Sequence, residues 1–408
     1  MPHFRGSSLA HSHHMTFQAN SQQNNMCVGF VRSCAVPGDG GSQLEAKLNK
    51  PSVVHYICKQ KTDYFFTLWL SVSSLVPYAL DCWIDNARLV YNNVTRTTTS
   101  PPGVDIQIPG FGNTSTVEAL DPFYPTISGY FKNIADALAA QGYTRNVNIR
   151  AAPYDFRKAP NELKDYLVKV TALIEDTYTL NGNMPVILVA HSMGSPLMLY
   201  LLNKKDQSWK DKYIRAFVTL AGVWAGAVKA MRVFASGDNL GFFVLNALKL
   251  RTEQRTSPSL AFLLPSDRYW GSDEILISTD VRNYTIRDLD VFFKSLDYMN
   301  GYEMWKDTKD LIYKLNPPGV EVHCLHGVDV DTEERAVYTS GTYPDGSPSF
   351  IFGNGDGTVN YRSLSACLSW QGKQTQPVYH STYSQVDHMQ ILWHVPVINY
   401  ILKIATST

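Results

Sequence analysis

Residues 185–202 read PVILVAHSMGSPLMLYLL: a run of β-branched and aliphatic side chains reaches a serine, turns, and leaves as an apolar helix. A strand that passes straight into a helix at a serine constrains this chain more than any other stretch of it. Such a turn lifts the serine above a sheet and aims the next backbone N–H, here that of Met193, at whatever the serine attacks. The turn is crowded, so its flanking positions must be small, and Ala190 and Gly194 meet that need in an A-x-S-x-G pattern. Pro196 falls in the first helical turn, where a missing N–H is tolerated. The same pattern also fits a Rossmann-like turn with an ordinary serine, so the rest of the chain has to decide.

The surrounding sequence alternates helix and strand. Apolar positions Tyr130, Ile134, Ala137 and Leu138 predict a helix over 127–142 that stops at Gly142. A short strand, NVNIRAAPYDF, follows, and a helix over 161–180 puts Leu163, Leu167, Val170, Leu173 and Ile174 on one face. Continuous apolar strands at 186–189, 213–222 and 320–327 then predict an α/β fold with a parallel sheet covered on both sides. The turn-rich stretch between the last two reads as an inserted cap. A chain of 408 residues accommodates two or three average domains, or one large α/β domain with insertions. Tyr64–Leu80 is strongly apolar over 17 positions, but Ser71, Ser73, Ser74 and Pro77 interrupt it, which is poor for a membrane span. It reads as either a buried core helix or an interfacial segment.

Chain order separates the two readings of Ser192. In sheets of this kind that carry a serine nucleophile, the acid and then the base follow it. FGNGDGTVN has glycines for a tight turn presenting Asp356, and too few acidic ligands for a calcium loop. PVYHSTY reads as the last strand, and the loop QVDH leads into the helix MQILWHVPVINYILKI, placing His388 where the base belongs. His380 on that strand and His394 inside that helix read as structural, and Asp387 points elsewhere from an extended loop. A second oxyanion donor is expected from a loop after an early strand, and the backbone N–H of Asp39 in CAVPGDGG fits. That loop lacks both the G-x-G-x-x-G spacing and the lysine of a phosphate cradle. Ser192 therefore reads as a nucleophile, with Asp356 and His388 as its partners.

Other classes are disfavoured. Lys+Arg and Asp+Glu both number 36, a balance that does not suggest nucleic acid as a partner. No C-x-x-C or H-E-x-x-H pattern occurs, so neither a metal nor a cofactor is expected, and His11, His13 and His14 read as incidental. Residues 1–30 read as a disordered leader, and the first 25 lack the apolar stretch of a secretory signal. Six cysteines and the sequons at Asn93, Asn113 and Asn283 point the other way, to an extracellular or lumenal setting.

Further segments carry a resemblance. PGDGGSQLEAKLNKPSVVHYIC, DCWIDNARLVYN, VDIQIPGFG, RAAPYDFRKAP, AHSMG, WKDKYIRAFVTL, ASGDN, NYTIRD, PPGVEVHCLHG and GDGTVN resemble the lecithin:cholesterol acyltransferase family, in particular its lysosomal phospholipase branch. The likeness runs from about Ala35 to the C-terminal helix. It implies an α/β-hydrolase core (31–57, 101–232 and 319–408), a membrane-binding subdomain (58–100) and a cap with a lid (233–318). It implies acyl transfer from a glycerophospholipid to Ser192 and on to water or a lipid alcohol such as ceramide. Asp356 and His388 complete the triad, and the N–H groups of Asp39 and Met193 form the oxyanion hole. It further implies bridges Cys58–Cys82 and Cys324–Cys367, with Cys27 and Cys34 unassigned. The expected enzyme is a monomer, peripheral to a phospholipid bilayer, binding a lipid donor and acceptor, in the lysosome or outside the cell. Phe65, Phe66, Leu68, Trp69 and Leu70 are the expected membrane contacts, and Phe242, Phe243 and Val244 the expected lid. Aspartate at 39, where the cholesterol-esterifying branch has cysteine, predicts an acidic activity optimum. The family segment G-A-P-W-G-G is Ala221-Gly222-Val223-Trp224-Ala225-Gly226 here, and Arg32 interrupts the expected apolar first strand. A sterol-preferring acyltransferase, a general esterase and a lipid-binding protein without chemistry remain as rivals.

Overall fold

The computed structural model describes residues 32–76, 78–241 and 245–407. Six strands form its central sheet: β1 Arg32–Val36, β2 Ile149–Ala151, β3 Val186–His191, β4 Ile214–Leu220, β5 Val322–Val328 and β6 Val378–Ser384. Their spatial order is β6-β5-β4-β3-β1-β2, and every neighbouring pair is parallel. Parallel strands need crossovers, and these cover both faces. The covering helices include α1 Lys132–Ala140, α2 Lys164–Leu180, α3 Gly194–Leu202 and α4 Val395–Thr406.

The alternation of a strand shows how the two layers are held. Along β3, Val186, Leu188 and Ala190 pack against Leu167, Val170 and Ile174 of α2 and Leu197 and Leu201 of α3. Ile187 and Val189 point the opposite way, into Ile134 and Leu138 of α1 and Val397 and Ile401 of α4. All six residues of β3 are buried, which explains why its sequence is an unbroken apolar run closed by a histidine.

Several boundaries differ from the sequence reading. The helix expected over 127–142 begins only at Lys132, because 121–129 is a loop folded around Asp121 and Ser128. The strand expected in NVNIRAAPYDF shrinks to three residues at the sheet edge. The last helix starts at Val395 with Pro396 in its first turn, so His394 caps the helix instead of lying within it.

Tyr64–Leu80 is not a single helix. Phe66–Trp69 is a strand paired with Leu44–Leu48, a short 3-10 turn covers Val72–Leu75, and a helix runs from Ala79 to Ala87. Strand alternation corrects the expected membrane contacts: Leu68 and Leu70 are buried against Leu44, Leu48 and Trp83. Phe65, Phe66 and Trp69 are partly covered. Among the described residues of 54–80, Val54, Tyr56, Ile57, Tyr64, Val76 and Tyr78 are exposed.

Between β4 and β5 the chain builds a separate cluster around Phe234, Trp270, Phe292 and Phe293. Ile277–Ser278 and Asn283–Tyr284 join Val330–Val337 and Ser349–Gly355 in a four-stranded sheet, so residues beyond β5 return to this layer. Phe242, Phe243, Val244 and residues 1–31, Cys27 included, lie outside the described residues. Cys58 is bonded to Cys82 and Cys324 to Cys367. Cys34 is a free thiol within the core, and burial pushes its pKa up to about 12.

Leu188→Ala in the middle of β3 removes a fully buried side chain. It is expected to cost about 2–5 kcal/mol, measured as a lower denaturation midpoint.

Candidate active site

β3 ends at His191, and Ser192 follows with φ of +52°, a conformation unusual for any residue with a Cβ. The strain is held from both sides. The Ser192 N–H donates to the Leu220 carbonyl at 2.9 Å, extending the β3–β4 ladder by one rung, and α3 begins two residues later. A Cβ on Gly194 would lie 2.4 Å from the Pro37 carbonyl oxygen, and one on Gly38 would lie 2.6 Å from the Ser192 Cβ. Both glycines are therefore required by the close approach of the 37–41 turn to the serine.

The structure brings together three distant side chains at this point. His388 Nε2 is 2.9 Å from Ser192 Oγ, and His388 Nδ1 is 2.7 Å from Asp356 Oδ2. Asp356 is fully buried, and its other oxygen accepts from the N–H groups of Val359, at 2.8 Å, and Thr358, at 3.1 Å. The His388 N–H donates to the Asp356 carbonyl at 2.8 Å, so the two loops are joined by backbone as well as by side chain. Of the neighbouring candidates, Asp387 is exposed and caps Met389 and Gln390, and His380 sits 2.8 Å from His326 across the β5–β6 pair.

The 37–41 turn lies over the same serine. Gly41 N–H donates to the Gly38 carbonyl, closing a turn whose middle residues are Asp39 and Gly40. Among the described residues no protein acceptor meets the N–H of Asp39 or of Met193, which leaves both free to donate into the site. Asp39 reaches solvent, but the protein around it strips water from its carboxylate and raises its pKa to about 7, against the opposing hydrogen bond from Gly40 N–H. Glu253, on the cap helix Ala247–Gln254, is raised to about 8, first by burial and further by Asp39 and Asp155, with Arg157 opposing.

Three residues that sequence reading did not assign to the site hold this turn and the base. Tyr130 hydroxyl accepts from Gly38 N–H at 3.0 Å and is bonded to His191 Nδ1. His191 Nε2 lies 2.9 Å from the His388 carbonyl, which can only accept, so Nε2 carries the proton and Nδ1 accepts from Tyr130. Burial lowers the His191 pKa to about 3, with His388 adding to the effect, so the ring is neutral. Trp69 Nε1 donates to the Gly40 carbonyl at 2.7 Å, so this partly exposed ring walls the turn that carries Asp39. The one available signal was His191 itself, a polar residue closing an otherwise apolar strand. Nothing local marks Tyr130.

Asn93, Asn113 and Asn283 are all exposed. Val223 and Ala225, which replace a proline and a glycine of the family segment, are buried, and Ala221 takes a positive φ of 51° in the place of a glycine.

A parallel sheet with a strained serine at the end of a central strand, facing an aspartate and then a histidine from later loops, defines an α/β-hydrolase. Comparison with known proteins narrows this class. A sequence profile described as lecithin:cholesterol acyltransferase matches residues 64–395. The lysosomal phospholipase A and acyltransferase of Rattus norvegicus is 45% identical over 369 residues, covering 90% of this chain and 89% of that protein. The human protein of the same name gives the same identity over 369 residues, 90% of this chain and 89% of its own. The phosphatidylcholine-sterol acyltransferase of Gallus gallus is 42% identical over 360 residues, covering 88% of this chain and 86% of that protein. The chain belongs to the lecithin:cholesterol acyltransferase family.

Two outcomes are expected from this geometry. The Asp39 carboxyl is neutral below about pH 7 and ionised above it. An ionised carboxylate beside a developing oxyanion opposes it, so ester hydrolysis is expected to fall as pH rises through 7. Asp39→Asn should keep its rate across that range, and an unchanged profile in this variant would remove Asp39 from the explanation. Tyr130→Phe leaves the Gly38 N–H and His191 Nδ1 without their buried partner. It is expected to cost about 1–3 kcal/mol in a denaturant melt and to slow fluorophosphonate labelling of Ser192 by roughly tenfold.

Proposed function

We propose that the chain is a serine phospholipase A and O-acyltransferase. The observation that carries this reading is the hydrogen-bonded line from Ser192 through His388 to a buried Asp356, in a member of this family. Ser192 Oγ gives its proton to His388 Nε2 and attacks an ester carbonyl of a glycerophospholipid. The carbonyl electrons move to oxygen, facing the N–H groups of Asp39 and Met193. His388 returns the proton to the leaving oxygen as the ester C–O bond breaks, releasing lysophospholipid and leaving acyl-Ser192. Water or the hydroxyl of a lipid alcohol such as ceramide then loses its proton to His388 and attacks the acyl carbonyl; the bond to Ser192 Oγ breaks as His388 passes that proton to Oγ, restoring the serine. Asp356 holds the imidazole with Nδ1 as donor and stabilises its cationic form.

The lipid must be taken from a surface. Val54, Tyr56, Ile57, Tyr64, Val76 and Tyr78 support a lipid-facing role for the disulfide-tied region 54–82. Two disulfides and three exposed sequons support a lysosomal or extracellular setting, where thiols are oxidised and asparagines glycosylated. A sterol as acceptor is the second reading, favoured by the identity to phosphatidylcholine-sterol acyltransferases.

The test uses phosphatidylcholine liposomes containing N-acetylsphingosine, at acidic and neutral pH. Acylceramide and free fatty acid are expected mainly at acidic pH, and Ser192→Ala should lower both by at least ~10³-fold. Transfer at neutral pH that requires cholesterol would move the activity to the sterol branch. Absence of turnover together with absence of fluorophosphonate labelling would reduce the chain to a lipid-binding protein.

A further inference from the structure

The loop Pro122–Ile127 belongs to neither the cap nor the region 54–82, yet it also holds large apolar side chains out in solvent. All six of its residues are exposed, with Phe123 at 78% and Ile127 at 73%. From Pro122 to Phe131 the chain has no charged side chain, and two prolines stiffen the tip. The loop is built, not loose. Ser128 Oγ bonds the backbone of Asp121 and Tyr124, Leu120 N–H donates to the Ser128 carbonyl, and Tyr130 N–H donates to the Glu118 carbonyl.

Its base joins two things already described. The Asp121 carboxylate, 1% exposed, accepts from Phe123 N–H through one oxygen and from Val72 N–H through the other. Leu70 N–H also donates to the Leu120 carbonyl. One buried carboxylate therefore locks this loop to the segment that presents Val76 and Tyr78. On its other side the loop runs directly into Tyr130, which holds Gly38, while Trp69 of the neighbouring strand holds Gly40. The two exposed tips thus stem from the two supports of the turn that carries Asp39.

We propose that Phe123, Tyr124 and Ile127 form a second anchor for the phospholipid bilayer, rigidly coupled to Val76 and Tyr78, so that the lipid surface is gripped on both sides of the Asp39 turn. This rests on the lipid-substrate reading above and adds a contact to it. A protein partner fits less well, because a six-residue tip supplies far less than the roughly 1,000 Å² a stable protein interface needs. A bilayer demands no matching surface, and it accepts uncharged aromatic and aliphatic tips with Tyr124 at the headgroup level.

The test measures sedimentation of the full chain, carrying Ser192→Ala to prevent hydrolysis, with sucrose-loaded phosphatidylcholine vesicles. Phe123→Ser with Ile127→Ser is expected to lower the partition coefficient about tenfold, with an unchanged melting temperature. Val76→Ser with Tyr78→Ser should act similarly, and Phe123→Trp should keep or strengthen binding. Partitioning within twofold of the parent for the Phe123/Ile127 pair, while the Val76/Tyr78 pair falls, would overturn the second anchor and leave the lipid-substrate reading standing. A loss of binding in Phe123→Trp would overturn insertion of the tip. A parent chain that stays in the supernatant would overturn the anchor and the lipid-facing reading of 54–82 together. Sedimentation equilibrium in which the Phe123/Ile127 pair converts a dimer to a monomer would assign the tip to a second copy of the chain instead.

Discussion

His191 stands between the two moving parts that a serine hydrolase must keep in register. On one side its Nδ1 accepts a hydrogen bond from the Tyr130 hydroxyl, whose oxygen in turn accepts from the Gly38 N–H. On the other its Nε2–H holds the backbone carbonyl of His388. The arrangement needs a neutral ring, because a protonated Nδ1 would turn the Tyr130 bond into a donor–donor clash. Burial supplies that condition by lowering the pKa to about 3. The ring therefore stays neutral at any pH well above 3. The residue beside the nucleophile is thus as specialised as the nucleophile, although it touches no reacting atom.

The same economy governs the turn over Ser192. Pro37 carbonyl receives the Tyr154 hydroxyl, Gly38 N–H is held by Tyr130, and Gly40 carbonyl by Trp69. Three aromatic side chains from three separate regions fix the 37–38 peptide group at both of its polar ends and the carbonyl of the 40–41 group. The free N–H of Asp39 lies among them, presented without a partner of its own. Preorganised donors of this kind cost nothing to reorient during reaction. Trp69 also makes the region around 58–82 a structural neighbour of the site.

The parts of this architecture that follow from local sequence were readable before any coordinates. The apolar run ending at Ser192 and the small residues around it express constraints a few residues long, and the turns presenting Asp356 and His388 are each marked locally, so that only their order along the chain had to be added. The parallel sheet followed from the same alternation. What sequence did not disclose depends on neighbours far apart in the chain. Leu68 and Leu70 look like lipid contacts until pairing with Leu44–Leu48 turns them inward, and Trp69 is claimed by Gly40, 29 residues away. Tyr130 and His191 are 61 residues apart, and no pattern in either segment announces the bond. The shortened first helix has the same cause, since Asp121 gathers its loop toward Val72 across 49 residues.

β4 ends at Leu220 and its sheet neighbour β5 begins only at Val322, with most of the cap between them. A ribosome adding about 5–20 residues per second leaves the edge of β4 bare for roughly 5–20 s before its partner exists. Cys324 lies on β5, and Cys367 is synthesised before β6. Oxidation can therefore fasten β5 in place while its own outer edge still waits for β6. The bridge joins β5 to the Ser365–Trp370 segment, a tether whose two ends are both complete before any residue of β6 has been made.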